Sequence, residues 1–309
     1  MQILGMGNAI VDVICKVDEK FISQNNLTKS NMKLIFDENE FKNLLSNLKI
    51  EKTISGGSVA NSIVGLSQLG NKVGFIGKIS EDDFGEKYEI GLKKERVEYF
   101  YQKKVETLPT GTCLILITPD SERTMCTFLG TAGKINENDV DLEAIKKSDI
   151  IFLEGYLWDE GDPKKAFDKA ISNAKMVAMT LSDKFCVDRH KSHFLNLVKN
   201  DLDIIFANED EISSLIDAKS FDEVISFGKK IKKQLIITRG EKGAISICSE
   251  KISEVGINTD LKIVDLTGAG DLFAAGYLHG YLNNFSQEDC LKKGTEMASK
   301  VIQQIGARL

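Results

Sequence analysis

A chain of 309 residues with 42% hydrophobic and 28% charged residues and only three prolines has the make-up of a packed domain, not of a disordered segment or a fibre. Its net charge of −6 and pI near 5.4 offer no basic footprint for nucleic acid. No window approaches the roughly 18 consecutive apolar residues of a membrane span, and the opening residues up to Asp12 lack a basic leader with an apolar core, so a cytoplasmic protein without a membrane partner is expected.

In chain order, residues 2–16 are rich in Ile, Val and Leu and broken at Gly7-Asn8, which predicts two short strands about a tight bend. A polar helix is expected over 37–48. Ser55-Gly56-Gly57-Ser58 then leads into Val59, Ile63, Leu66 and Leu69 at helical spacing: a glycine-rich loop opening a helix, with Ser58 and Asn61 on a different face from the apolar one. Residues 73–79 read as a strand and 84–96 as a helix. Residues 111–117 and 123–129 form a hairpin pattern turning at Pro119-Asp120-Ser121-Glu122. Beyond Asp141 short apolar runs at 150–153, 176–181, 204–207 and 235–238 alternate with helical patterns, as in a parallel sheet covered on both faces. The six cysteines show no Cys-x-x-Cys spacing, and His190 and His193 have no third ligand nearby in sequence, so neither a disulfide framework nor a zinc site is indicated.

The segment Asp265-Leu266-Thr267-Gly268-Ala269-Gly270-Asp271 is followed by Leu272, Ala275, His279 and Leu282 at helical spacing, so Gly-Ala-Gly stands at a helix N-terminus. Unpaired N–H groups and the helix dipole favour an anion there, and Asp271 could take a proton from an attacking alcohol beside it. By spacing alone the segment fits an ordinary capped helix equally well. It is not a P-loop, since no lysine follows the glycines, and Gly5-Met6-Gly7-Asn8 lacks the third glycine of a dinucleotide fingerprint.

Taken together, Gly56-Gly57-Ser58-Val59-Ala60-Asn61, Asn208-Glu209-Asp210-Glu211 and the late Gly-Ala-Gly-Asp, in that order, resemble the ribokinase-like, or PfkB, carbohydrate and nucleoside kinase family over nearly the whole chain. The resemblance implies an α/β three-layer sandwich with a central, mostly parallel sheet: one domain over 1–309, carrying a small β-sheet lid from about 9–17, 30–36 and 97–130. It implies ATP-dependent phosphotransfer with Asp271 as base, the amides of Gly268, Ala269 and Gly270 as anion hole, and Arg123 near the transferred phosphate. Asn208 and Glu211 would organise Mg2+ through water, and Thr238, Gly240 and Thr267 would join Asn208 at ATP. Leu266 stands where the family usually has Thr, beside a loop at which a monovalent cation such as K+ could act.

Gly7-Asn8-Ala9-Ile10-Val11-Asp12 and Pro109-Thr110-Gly111-Thr112-Cys113 are similar to the adenosine-kinase branch. That likeness implies Asn8, Asp12, Gly57, Ser58 and Asn61 around ribose hydroxyls, with Cys113, Met125, Leu157 and Phe185 as candidate walls for a base. Adenosine, giving AMP, is thus the first acceptor to expect. A sugar or sugar acid as acceptor, or a catalytically silent nucleoside sensor on the same fold, are the alternatives, in a monomer or homodimer.

Overall fold

The computed structural model describes residues 1–120, 122–158, 161–257 and 260–309, so Ser121 of the predicted hairpin turn lies outside the described residues. The chain forms a large α/β unit and a small second sheet. Across the large sheet the strands run Lys251–Val255, Ala244–Cys248, Gln234–Thr238, Ile204–Asn208, Val177–Thr180, Ile150–Glu154, Ile3–Met6, Val73–Ile76 and Glu98–Tyr99. From Gln234–Thr238 to Glu98–Tyr99 every pairing is parallel, and the two strands at the other edge are antiparallel.

Successive strand residues point to opposite faces, and both faces are apolar. Ile3, Phe152, Phe206 and Ile236 join one core, while Leu4, Met6, Leu153, Ile205 and Ile237 join the other. Helices Ser58–Gln68, Ala269–Leu282 and Gln287–Val301 cover the first face. Helices Asp162–Asn173, Lys184–Asn200, Glu209–Ile216 and Phe221–Ile231 cover the second. The three-layer α/β sandwich with a mostly parallel central sheet is therefore the observed fold.

The small sheet has the order Met32–Ile35, Arg123–Phe128, Gly111–Ile117, Ile10–Lys16, Ile50–Gly56. Two of its features depart from the sequence expectation. Residues 50–56 supply an edge strand that their Glu-Lys-Thr character disguised. Within 97–110, Glu98–Tyr99 pairs with Val73–Ile76 on the large sheet instead, and Tyr99 Oη donates to Gly77 O across that pair. The predicted strand at 73–79 ends at Ile76, and Lys78 beyond it is buried between Asp139 and Glu106.

The bend at Gly7-Asn8 is where the chain leaves one sheet for the other: Ile3–Met6 belongs to the large sheet and Ile10–Lys16 to the small one. Val11, Val13, Leu114, Leu116, Cys126 and Phe128 face the core. Asp12 lies on the opposite face with Ile10, Ile14, Cys113, Ile115 and Met125. No described helix is long and apolar enough to cross a membrane.

Candidate active site

Parallel strands end on one rim, and that rim is where ligands bind in open α/β sheets. Here it carries Asn8 just after Ile3–Met6, Glu154 at the end of its strand, and the paired strand-end residues Asn208 and Thr238. The helix Ala269–Leu282 aims its N-terminus at the same edge.

Gly268 is the N-cap of that helix with φ +80°, a conformation suited to glycine, and a Cβ there would lie 2.6 Å from Ala307 Cα. Asp271 follows in the first turn. Its Oδ1 accepts from Ser58 Oγ at 2.6 Å and its Oδ2 from Asn61 Nδ2 at 3.0 Å. Burial raises its pKa to about 6, held down by those two hydrogen bonds and by the Arg308 guanidinium. A carboxyl of that acidity is ionised near neutrality yet basic enough to take a proton. Ala269 N–H donates to Leu266 O at 3.2 Å, so an anion would meet it only by displacing that bond.

Ser58 and Asn61 project from the first turn of helix Ser58–Gln68. Gly57, its N-cap, has φ +98°, and a Cβ there would stand 2.2 Å from Asn8 O. With no cap side chain available, Glu154 supplies the missing acceptor: its Oε2 takes Val59 N–H at 3.1 Å, and its Oε1 takes Asn8 Nδ2 at 3.0 Å. Glu154 is buried, which raises its pKa to about 7 against those hydrogen bonds. Asn8 thus faces this carboxylate, with its Oδ1 buried and unpartnered among the described residues.

Asp12 stands across the cleft on the small sheet, close enough to Gly56 that a Cβ there would lie 2.4 Å from its Oδ2. Burial raises its pKa to about 7; Arg308 and Arg123 pull it down and Asp271 pushes it up. Arg123, on the same sheet, pairs through Nη1 with Asp265 Oδ2. That ion pair joins the small sheet to the loop leading into Gly268. Thr267 is held in the same loop, its N–H and Oγ1 both donating to Asp265 Oδ1.

Asn208 and Glu211 form a reciprocal capping box: Asn208 Oδ1 accepts from Glu211 N at 2.8 Å, and Glu211 Oε2 accepts from Asn208 N at 3.0 Å. Burial raises the Glu211 pKa to about 7. Among the described residues no group of three or more His, Cys, Asp or Glu side chains could hold a metal. The acidic residues at this rim suit a cation that brings its own water and phosphate ligands. Gly240, φ +56°, opens a short turn after Thr238, and Arg239 is fixed there by Glu209, Glu254 and the Phe221 ring. Val255, Gly256, Thr295 and Ser299, together with Lys292, Glu296 and Lys300, line a hollow with a cavity volume of about 330 Å3.

Two of the expected wall residues are not gathered with Asp12 on the small sheet. Leu157 is fully buried in the core on the second helical face, and Phe185, at the start of helix Lys184–Asn200, is 74% exposed. Cys113 and Met125 lie on the Asp12 face of the small sheet. Sequence reasoning missed Arg308, which carries no periodic or motif signal. It also missed the role of Glu154, whose signal was a lone carboxylate closing a buried apolar strand.

Residues 17–309 match the pfkB family carbohydrate kinases. The solved structure of an adenosine kinase from Sinorhizobium meliloti is 35% identical with a TM-score of 0.89, covering 100% of this chain and 95% of its own. That of a probable sugar kinase protein from Rhizobium etli is 36% identical, also with a TM-score of 0.89, covering 99% and 94%. A 5-dehydro-2-deoxygluconokinase of Mesomycoplasma hyopneumoniae is 27% identical over 291 residues, 87% of this chain and 84% of its own.

Proposed function

The chain belongs to the pfkB family of carbohydrate kinases, as an ATP-dependent kinase of a sugar or nucleoside, and from that premise we propose that its acceptor is adenosine, converted to AMP. The observation that carries the choice is the face on which Asp12 lies. Ile10, Ile14, Cys113, Ile115 and Met125 surround a single carboxylate there, an apolar ground that suits a purine beyond a ribose. A small sugar or sugar acid would need further polar partners at that place. The likeness to the Sinorhizobium meliloti adenosine kinase supports the same reading.

In this reading Asp12, with Asn61, receives the ribose hydroxyls, and Asp271 faces the acceptor hydroxyl at the cleft floor. The hydroxyl oxygen attacks the γ-phosphorus as its proton passes to Asp271, and the bond from that phosphorus to the bridging oxygen breaks, leaving ADP. Gly268 and Gly270 amides at the helix N-terminus face the transferring group. Arg123, already at the loop, exchanges Asp265 for phosphate oxygen. Asn208 and Glu211 would hold Mg2+ through water, and the ion would supply charge neutralisation at the phosphates. Thr238 and Gly240 meet the ATP phosphates or ribose.

ADP release, coupled to a reporter enzyme, should be measured with adenosine, inosine, ribose, fructose and 5-dehydro-2-deoxygluconate. The expected result is the highest kcat/KM for adenosine. Preference for a sugar or the sugar acid would overturn the acceptor and leave the kinase standing; a melting shift with adenosine but no ADP from any acceptor would mark a sensor.

A further inference from the structure

Arg308 reaches the acceptor site from the segment that follows helix Gln287–Val301, far in sequence from every motif named above. The segment is braced against the anion-hole loop: Val264 N and Asp265 N donate to Ile302 O, and Gly306 N donates to Asp265 Oδ2 at 2.7 Å. Ala307 packs on Gly268, and Gln304 Nε2 donates to Arg308 O at 2.6 Å. The side chain so placed donates from Nε to Asn61 Oδ1 at 3.0 Å, and Asn61 Nδ2 donates in turn to Asp271 Oδ2 at 3.0 Å.

A guanidinium has donors only, so the Asn61 oxygen must face Arg308. The Asn61 amide must then face Asp271. The order of the three groups is thus set from the arginine end, and it presents Asp271 with a donor at the oxygen that Ser58 leaves unfilled. We propose that Arg308 is a positioning residue of the phosphotransfer site, orienting Asn61 so that the Asp271 carboxylate is held ionised and aimed at the acceptor hydroxyl. This rests on the kinase reading of Asp271.

A structural prop alone would not favour this side chain. Nη2 of Arg308 is buried without a hydrogen-bond partner among the described residues, an arrangement that costs about 1–3 kcal/mol. An apolar side chain of similar length would fill the space without that cost. What the guanidinium adds is positive charge between carboxylates. Asp271 interacts with Asp12 from the small sheet, with Glu154 from the rim of the large one and with Arg308 from this segment; Arg123 acts on Asp12, and Tyr88 and Glu95 act on the arginine. Of the two arginines, Arg123 is paired with Asp265 and acts on Asp12 alone, whereas Arg308 acts on both Asp12 and Asp271.

The test compares wild type, Arg308→Met and Arg308→Lys. The Asp271 titration is followed by carboxyl carbon NMR, with the resonance assigned by its loss in Asp271→Asn, and kcat is followed against pH with adenosine and ATP. In Arg308→Met the Asp271 midpoint should rise by about one pH unit, and the acid limb of kcat should move with it, while kcat falls by about 10-fold or more. Arg308→Lys should restore the midpoint in part and the rate less, because a lysine keeps the charge without the Nε donor that fixes Asn61. Melting temperatures of the three proteins separate a folding defect from these effects. An Asp271 midpoint that stays put in a folded Arg308→Met protein overturns the proposal whether or not the protein turns over adenosine. An absence of ADP from wild type with a shifted midpoint would instead strike the kinase reading and keep the electrostatic one.

Discussion

Asp271 is pulled two ways, by burial that favours its proton and by Ser58 and Asn61, which favour its charge. If Asp271 is the base proposed above, the balance near 6 sets where it becomes competent, so kcat/KM should rise with pH along an acid limb centred near 6 and flatten above 7. Asp271→Asn should lower kcat by roughly 10²–10⁴ while acceptor binding, read by calorimetry, survives; an undiminished kcat would remove Asp271 from the chemistry. Glu154 carries a stability consequence of its own. Its folded pKa lies near 7, above that of an unfolded glutamate, so the folded state keeps a proton that the unfolded chain loses. Between about pH 4.5 and 7 the native protein therefore binds more protons than the unfolded one, and stability falls as pH rises through that window. Glu154→Gln removes this term. Urea unfolding at pH 5 and pH 8 should show a difference smaller by on the order of 2 kcal/mol than in wild type, and an unchanged difference would refute the assignment.

Among the elements, the helix Ser58–Gln68 illustrates how local sequence and distant support combine. The apolar spacing of Val59, Ile63 and Leu66 announces it, and Gly57 marks its start, but the group that caps it comes from a strand ninety-five residues on. Gly57→Ala would force a Cβ against Asn8 O in a backbone conformation that L residues avoid, and should lower stability by more than about 2 kcal/mol. The strand Arg123–Phe128 poses a different case. Its hairpin with Gly111–Ile117 was legible from alternation and turn residues, whereas the partner of Arg123 was not. Arg123→Met should leave the fold intact, because the Asp265 carboxylate it uncovers keeps its hydrogen bonds from Thr267 and Gly306. It should reduce kcat by about 10²-fold or more if the guanidinium reaches phosphate, as read by coupled ADP release. The edge strand Ile50–Gly56 escaped sequence reading because Glu51, Lys52 and Thr53 lack the apolar character of a strand, a charged edge being how a sheet margin avoids further pairing.

At the scale of the molecule, the site lies between two sheets and is made by neither alone: Asp12 and Arg123 stand on the small sheet, Asn61 and Asp271 on helices of the large unit, and Arg308 on the segment after them. A ligand that touches both halves binds the folded state only, so adenosine at 100 times its Kd should stabilise the protein by about 2.7 kcal/mol, seen as a rise in melting temperature. Ribose and fructose should produce less if the purine contributes through the apolar face of the small sheet. The sequence by itself determined what depends on near neighbours: the alternation of buried strands and amphipathic helices, the glycines at helix starts, the capping box at Asn208, and, through motif order, the kinase class. Tertiary structure alone decided which side chains meet. Asp12, Asn61, Glu154, Asp271 and Arg308 are drawn from almost the full length of the chain, and no periodicity links residues that only sheet pairing and packing bring together. Local spacing left Asp271 as either helix cap or base. The proposed reading as a base rests on the donors from another helix and on the arginine behind them.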